Sequence, residues 1–302
     1  MYAALAVAAI LGLVNIVDSH LISKRMPSLR AFLIPAGLLH LTFGLTILAL
    51  YPLPVGVDAF PWFVAVASAV TRTLAVLLML YAMRTEEISR IIPVAHSYPV
   101  FVAILAVPLL GETLGYLDWL AIVMTVAGAV LISVRWGSGG QGARLRKSFI
   151  MLVASSVLFG VANTTAKYAL DYVSFWNMYS LGAICFGVVF CLTSARPSIL
   201  RELRNMKGMR TALKLIAFNE IIALVGILLS FWAMERGPIS LVSTIMGARP
   251  FFVFLYALAL SRVFPALLDE RLSRGTVALK LLSIALILGG VAIINLVAGP
   301  EG

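Results

Sequence analysis

The chain has 302 residues, of which 62% are hydrophobic and only 12% are charged. Soluble domains carry roughly 25% charged residues, so this composition excludes a soluble globular protein and indicates a membrane protein. The formal net charge of +10 would suit a nucleic-acid-binding protein only if the basic residues gathered on one face.

Apolar stretches of about 20 residues recur along the whole chain, and this length crosses the ~30 Å hydrocarbon core of a bilayer as a helix. The sequence therefore predicts an all-α polytopic membrane protein with ten transmembrane helices. The predicted spans are 2–17, 31–51, 60–83, 88–110, 117–134, 149–170, 175–193, 212–234, 239–261 and 276–297.

The basic residues follow the parity of the loops between these spans. Odd-numbered loops, with the adjoining span ends, hold 19 of the 23 Lys and Arg residues, whereas even-numbered loops hold only Lys167 and Arg236. The positive-inside rule then places the odd-numbered loops in the cytoplasm and both termini outside, in a plasma (inner) membrane protein. The lipid bilayer is the expected partner, and no nucleic acid is.

Two passages of the chain, 81–99 and 232–250, resemble each other at an offset of 151 residues. Because each half holds an odd number of spans, five, the second half must enter the membrane from the opposite side. This pattern predicts two inverted five-helix repeats, an architecture that secondary transporters use. The matching positions include Ile88-Ser89 with Ile239-Ser240, Pro99 with Pro250 and, at an offset of 148, Gly12 and Asn15 with Gly160 and Asn163.

The predicted domain boundaries follow from the repeats. Residues 1–134 form the first five-helix repeat and 148–302 the second. Between them, 135–147 is predicted to be a glycine-rich, basic cytoplasmic linker.

The sequence contains no motif that is typical of an enzyme active site. A phosphate-binding glycine loop and a nucleophile elbow are absent from the sequence, and the three histidines lack the spacing of metal ligands. We therefore expect no enzyme, cofactor or metal site. The candidate functional residues are instead the ionisable groups within the spans, because a charge there is costly unless it faces a cavity or a partner.

Two such residues are Arg72 and Glu220, and Asn219, the neighbour of Glu220, is a further candidate for substrate binding. Arginine stays protonated at any working pH, so Arg72 either binds an anionic substrate or pairs with an internal acid. Position 69 is the repeat equivalent of Glu220 and lies one turn before Arg72, so a structural Arg72–Glu220 ion pair or a gate is one reading. Glu220, together with His40 in the second span, is also a candidate for proton coupling.

Arg249 precedes Pro250, and both the proline and its restriction of the preceding residue disfavour a continuous helix. A broken helix with a charged group at the midplane is typical of a transport site, with Gly247 and Pro250 as the hinge. The first-repeat counterpart contains His96, Tyr98 and Pro99. A proline kink that only shapes the bundle is the alternative.

Other polar residues suggest structural roles. Asn15 and Asn163 are expected to pack helices against each other, and Lys167 to extend towards the outer interface. Glu112 and Glu270, in the loops after the fourth and ninth spans, suit helix N-termini, where a carboxylate interacts favourably with the helix dipole.

With its proline-containing fourth helix, Gly-Glu element and glycine-containing fifth helix in each half, the chain resembles the drug/metabolite transporter superfamily, and within it the EamA-type transporters. The residues that carry the resemblance are Pro99, Gly111, Glu112, Ala127 and Gly128, then Pro250, Glu270, Arg271, Gly289 and Gly290. The resemblance implies ten helices around a central cavity and alternating access. It also implies cytoplasmic termini, which the loop charges contradict.

We predict a secondary active transporter of a small polar organic metabolite, anionic or zwitterionic, such as an amino acid, an organic acid or a sugar phosphate. One alternative is a proton-coupled drug or cation exporter that uses Glu220. Another is a non-transporting membrane scaffold or a lipid-handling protein. We expect a monomer or a homodimer, with protons as a candidate coupling ion.

Overall fold

The computed structural model describes residues 1–84, 86, 88–133, 142–263 and 274–297. Within these ranges the chain is helical, without a strand. The helices are α1 (Tyr2–His20), α2 (Leu29–Leu50), α3 (Ala59–Ala82), α4 (Ile88–Ala95), α5 (Pro99–Leu110), α6 (Tyr116–Ser133), α7 (Gly142–Leu170), α8 (Phe175–Ser194), α9 (Pro197–Arg204), α10 (Met209–Arg236), α11 (Ile239–Met246), α12 (Arg249–Val263) and α13 (Arg274–Val297).

Eight helical segments of the described ranges are long and apolar enough to cross a membrane. Two shorter apolar helices, Tyr116–Leu131 and Leu282–Ile294, lie within α6 and α13. Because these segments are distributed from one end of the chain to the other, the protein is an integral, multi-pass membrane protein built from α-helices.

Two helix boundaries differ from the predicted spans. A π-helical turn, Leu21–Arg25, extends the first span well beyond residue 17, so the polar residues that follow the apolar stretch belong to the same helical rod. At the other difference, α7 begins at Gly142 and therefore includes 142–147 of the predicted linker. The remainder of that linker, 135–141, lies outside the described residues.

The fourth and ninth spans are each interrupted near their middle. The fourth consists of α4 and α5, separated by 96–98, because Pro99 lacks the N–H that would continue the hydrogen-bond ladder. The ninth consists of α11 and α12, separated only by Gly247 and Ala248. There the Ala248 N–H donates to the Ile245 carbonyl at 3.1 Å, an i to i+3 bond that tightens the end of α11.

The helices pack in a regular set of pairs. Helix α2 packs against α8, α6 against α13, α3 against α7, and α1 against α10. Glycines allow close approach in the first two pairs: a Cβ on Gly44 would lie 2.9 Å from Ile184 Cγ1, and one on Gly128 would lie 2.6 Å from the Ser283 carbonyl oxygen. The α2–α8, α3–α7 and α1–α10 pairs line a central cavity.

Candidate functional site

The central cavity has a volume of about 130 Å³, which is the space that the centre of a water molecule can occupy. A single water requires about 10–15 Å³ on this measure, so the space is sufficient for a small organic molecule. Its walls come from α1, α2, α3, α7, α8, α10, α11 and the start of α12, and from the interruption between α4 and α5. The polar lining residues are Asn15, Asp18, His40, Arg72, His96, Tyr98, Asn163, Glu220, Ser230 and Arg249.

The two helix interruptions bring Arg249 and His96 together. Arg249 begins α12 and is only 9% exposed, and its Nη1 atom lies 3.2 Å from His96 Nε2. Since arginine can only donate, His96 must accept through Nε2 and carry its proton on Nδ1. Within the described ranges, neither the Arg249 Nε atom nor the His96 Nδ1 atom has a hydrogen-bond partner. Both residues line the cavity, so each brings one unpaired N–H group to the site.

Arg72, in the middle of α3, is held on the same side of the cavity. Its Nη2 atom donates to Asn163 Oδ1 at 2.7 Å, and its guanidinium lies 5.0 Å from the centre of the Phe231 ring. Tyr98 lies close enough to interact electrostatically with both Arg72 and Arg249. The cavity thus has a basic side formed by these groups. The buried Nε atom of Arg72 also lacks a hydrogen-bond partner in the described part of the chain.

The Arg72–Glu220 ion pair considered from the sequence is not formed in this structure. Glu220 Oε2 instead lies 3.2 Å from His40 Nε2, and the His40 ring stacks on Phe186 with centroids 5.2 Å apart. The repeat offset placed Glu220 one turn from the level of Arg72 but gave no information about which helix each side chain faces.

Asp18 and Glu220 both line the cavity, and together they form its acidic side. The Asn219 Nδ2 atom donates to Asp18 Oδ1 at 2.8 Å, which links α10 to α1. Asn219 itself, predicted to bind substrate, is buried beside Asp18 and does not line the cavity. Within the described residues, neither Asp18 nor Glu220 has a lysine or arginine partner, and neither Arg72 nor Arg249 has a carboxylate partner.

Sequence reasoning missed Asp18 and assigned Asn163 to helix packing. Asp18 directly follows the predicted first span, so it was not counted among the membrane-embedded ionisable groups. The structure shows that α1 continues to His20, so Asp18 lies within this helix. Asn163 carried no signal beyond its repeat match, because the identity of its partner depends on how α3 and α7 pack.

Two charged groups outside the cavity tie helix ends together. Glu112 accepts hydrogen bonds from the Ile239 and Ser240 N–H groups, at 2.5 Å and 3.1 Å, and so caps the N-terminus of α11. The sequence predicted a capping role for Glu112 but not that the helix belongs to the other half of the chain. Lys167, predicted to extend to the interface, donates to the carbonyls of Met234 and Glu235 instead. Glu270 and Arg271 lie outside the described residues.

Comparisons with known proteins agree with this architecture. The fold is that of a multi-pass α-helical membrane protein with a polar cavity. Residues 1–134 match the model of the EamA-like transporter family, which places this part of the chain with the EamA-type proteins of the drug/metabolite transporter superfamily. Members of this family are transporters rather than enzymes.

A solved crystal structure of another protein has the same fold. It is 18% identical in sequence, covers 96% of this chain and 97% of its own, and superposes with a TM-score of 0.67. None of the curated proteins matches the sequence significantly.

Proposed function

We propose that the protein is a secondary active transporter of a small polar organic metabolite, anionic or zwitterionic, that works by alternating access. The observation that carries this proposal is the pair of arginines, Arg72 and Arg249, which line one cavity without a carboxylate partner in the described part of the chain. Two uncompensated positive charges within a bilayer favour an anionic ligand, because a bound carboxylate or phosphate offsets the cost of burying them.

Helix packing supports ten spans arranged as two inverted five-helix repeats. In the two repeats α1 corresponds to α7, α2 to α8, α3 to α10 and α6 to α13. The α3–α7 pair of neighbouring helices therefore corresponds to the α10–α1 pair, whereas the α2–α8 and α6–α13 pairs each correspond to themselves. The two interrupted spans also correspond, and Gly247 in one lies directly against Pro99 of the other, since a Cβ on Gly247 would be 2.7 Å from Pro99 Cγ. Such a crossing of discontinuous helices suits a pivot for alternating access.

The orientation that we propose follows the basic residues. Odd-numbered loops face the cytoplasm and both termini face outward in the plasma (inner) membrane, with 1–134 and 148–302 as the two repeats. A single-cysteine labelling series, with one cysteine in each loop and an impermeant reagent, tests this topology. Labelling of the odd-numbered loops from outside the cell would contradict it.

Energy for transport comes, in this proposal, from a substrate gradient, from exchange or from protons. Glu220 and His40 lie 3.2 Å apart in the cavity wall and can exchange a proton. A second candidate function is a proton-coupled cation or drug exporter. It is favoured by Asp18 and Glu220, two carboxyl groups in the same cavity that lack a lysine or arginine partner among the described residues.

The discriminating experiment is thermal stabilisation of the purified protein by a panel of organic acids, amino acids, sugar phosphates and organic cations. Ligands that bind only the folded state raise its stability. Stabilisation by anionic or zwitterionic compounds that disappears in Arg249→Gln supports the carrier, whereas stabilisation by cations that disappears in Glu220→Gln supports the exporter. Arg236→Gln is the matched control, because Arg236 is exposed, does not line the cavity and contacts only its near neighbours in sequence, Glu235 and Trp232, among the described residues.

Transport by reconstituted vesicles completes the test. Uptake of a stabilising compound, with and without a pH gradient, separates proton coupling from exchange. The absence of both stabilisation and uptake for every compound in the panel would favour a membrane scaffold or a lipid-handling protein. Size-exclusion chromatography with light scattering decides between monomer and homodimer.

A further inference from the structure

Asn15, on α1, has an unexplained side chain. It is 4% exposed and lines the central cavity, yet its Nδ2 atom has no hydrogen-bond partner among the residues that the structure describes. Leaving a buried amide donor unsatisfied is costly, so such a group in a native protein calls for a specific explanation. A purely packing role does not supply one.

The repeat equivalent of Asn15 does have a partner. Asn163, at an offset of 148, accepts a hydrogen bond from Arg72 Nη2 at 2.7 Å. In that half of the cavity the asparagine positions an arginine. The same residue type in the other half lacks this partner.

The position equivalent to Arg72 in the second repeat, at an offset of 151, is Ala223 on α10. Two contacts show that Ala223 faces α1 at the level of Asn15. Four residues before it, Asn219 bonds to Asp18, and three residues after it, a Cβ on Gly226 would lie 2.6 Å from Leu11 Cδ2. Ala223 also lines the cavity. An alanine at this position leaves open the space that a guanidinium fills in the other repeat.

We propose that Asn15 is a substrate-binding residue whose Nδ2–H donates to an oxygen atom of the ligand. This inference rests on the proposed anion carrier. The acid group of the ligand binds at Arg72 and Arg249, and a second oxygen, from a hydroxyl or carbonyl substituent, reaches the Asn15 amide across the pseudo-two-fold axis. The cavity therefore selects hydroxy acids and keto acids over the corresponding unsubstituted acids.

The test uses matched probes that differ by one oxygen substituent: propanoate with lactate and pyruvate, and succinate with malate and oxaloacetate. Dissociation constants are measured for the purified wild type and for Asn15→Ala and Asn15→Asp. Sites that hydrogen-bond a substrate group discriminate strongly against analogues that lack it. We expect the wild type to prefer the substituted acid by about tenfold, which corresponds to one net hydrogen bond of about 1.4 kcal/mol.

In Asn15→Ala this preference should disappear while the affinity for the unsubstituted acid stays within about threefold, because only one ligand bond is removed. Asn15→Asp keeps the volume but replaces the donor with an acceptor, and should lose the preference as well. Ala223→Arg recreates the arrangement of the other repeat and places a guanidinium beside Asn15. Loss of discrimination in that variant too would support the assignment.

The outcomes separate this inference from the proposed function. Binding that depends on Arg249 but shows no preference in the wild type, or keeps its preference in Asn15→Ala, overturns the role of Asn15 alone. Asn15→Ala would then be expected to lower the stability of the unliganded protein without changing selectivity. If the wild type binds none of these anions and none of the larger panel, the anion carrier and the role of Asn15 both fall.

Discussion

Arg249 Nη1 and His96 Nε2 are 3.2 Å apart, and each residue lies at the interruption of a different membrane-crossing helix. The contact joins the two halves of the chain at the point where each has lost a continuous hydrogen-bond ladder. Because broken helices expose backbone and side-chain donors at membrane depth, this junction is where a polar ligand can be bound inside the bilayer.

The orientation of Arg249 should depend on an acceptor at position 96. His96→Gln retains a side-chain acceptor and should weaken binding of an anionic ligand by less than about threefold, whereas His96→Phe should weaken it by about tenfold. Isothermal titration of a stabilising anion measures the difference. A larger loss in His96→Gln than in His96→Phe would show that ring packing against Phe159, and not the hydrogen bond, is what matters.

Glu220 should be coupled energetically to His40 and not to Arg72. Residues in contact commonly show coupling energies of about 0.5–3 kcal/mol, whereas separated residues behave additively. A double-mutant cycle with Glu220→Gln and His40→Gln, read by thermal denaturation in detergent, should therefore give a coupling energy in this range. The matched cycle with Glu220→Gln and Arg72→Gln should be additive within about 0.5 kcal/mol. Strong coupling in the second cycle would indicate that the two charges pair in another conformation.

The carboxylate of Glu112 caps α11, so its removal should destabilise the folded protein. Loss of an N-terminal cap costs about 0.5–2 kcal/mol. We expect Glu112→Ala to lower the free energy of unfolding by an amount in this range, measured by chemical denaturation in detergent. Glu235→Ala is the matched control, because Glu235 pairs with Arg236 at an exposed site and such pairs contribute about 0–1 kcal/mol. A smaller loss for Glu112→Ala than for the control would contradict the capping role.

Gly247 should not tolerate a side chain. A Cβ at this position would lie 2.7 Å from Pro99 Cγ and 3.0 Å from the Thr244 carbonyl oxygen. Overpacking of this kind costs about 1–3 kcal/mol, so Gly247→Ala should lower thermal stability and, if the crossing is the pivot, slow transport.

Gly182 provides the control for this substitution. It lies within α8, and among the described residues no atom outside the neighbouring backbone of α8 is within 4 Å of the position that a Cβ would take there. Alanine there should be neutral or stabilising by up to about 1 kcal/mol through helix propensity. A Gly247→Ala variant as stable as Gly182→Ala would show that the helix crossing is able to relax.

Hydrophobic length and loop charge are local properties, and from them the sequence by itself determined the class of the protein. Helices α2, α3 and α8 begin and end within two residues of the predicted spans. Their ends were predictable because a helix needs about 20 apolar residues to cross the hydrocarbon core of a bilayer. Pro99 and Pro250 indicated where the fourth and ninth spans are interrupted, since a missing backbone donor acts at its own position. The repeat offsets paired Asn15 with Asn163 without any structure.

Tertiary structure alone decided which side chains meet. Glu220 faces His40 and not Arg72, Asn163 holds Arg72, and Asp18 enters the site because α1 continues to His20 and packs beside α10. Partners of this kind depend on the rotation and approach of helices that are distant in sequence. A repeat offset specifies the level of a residue in the membrane, but helix packing specifies the direction in which its side chain points.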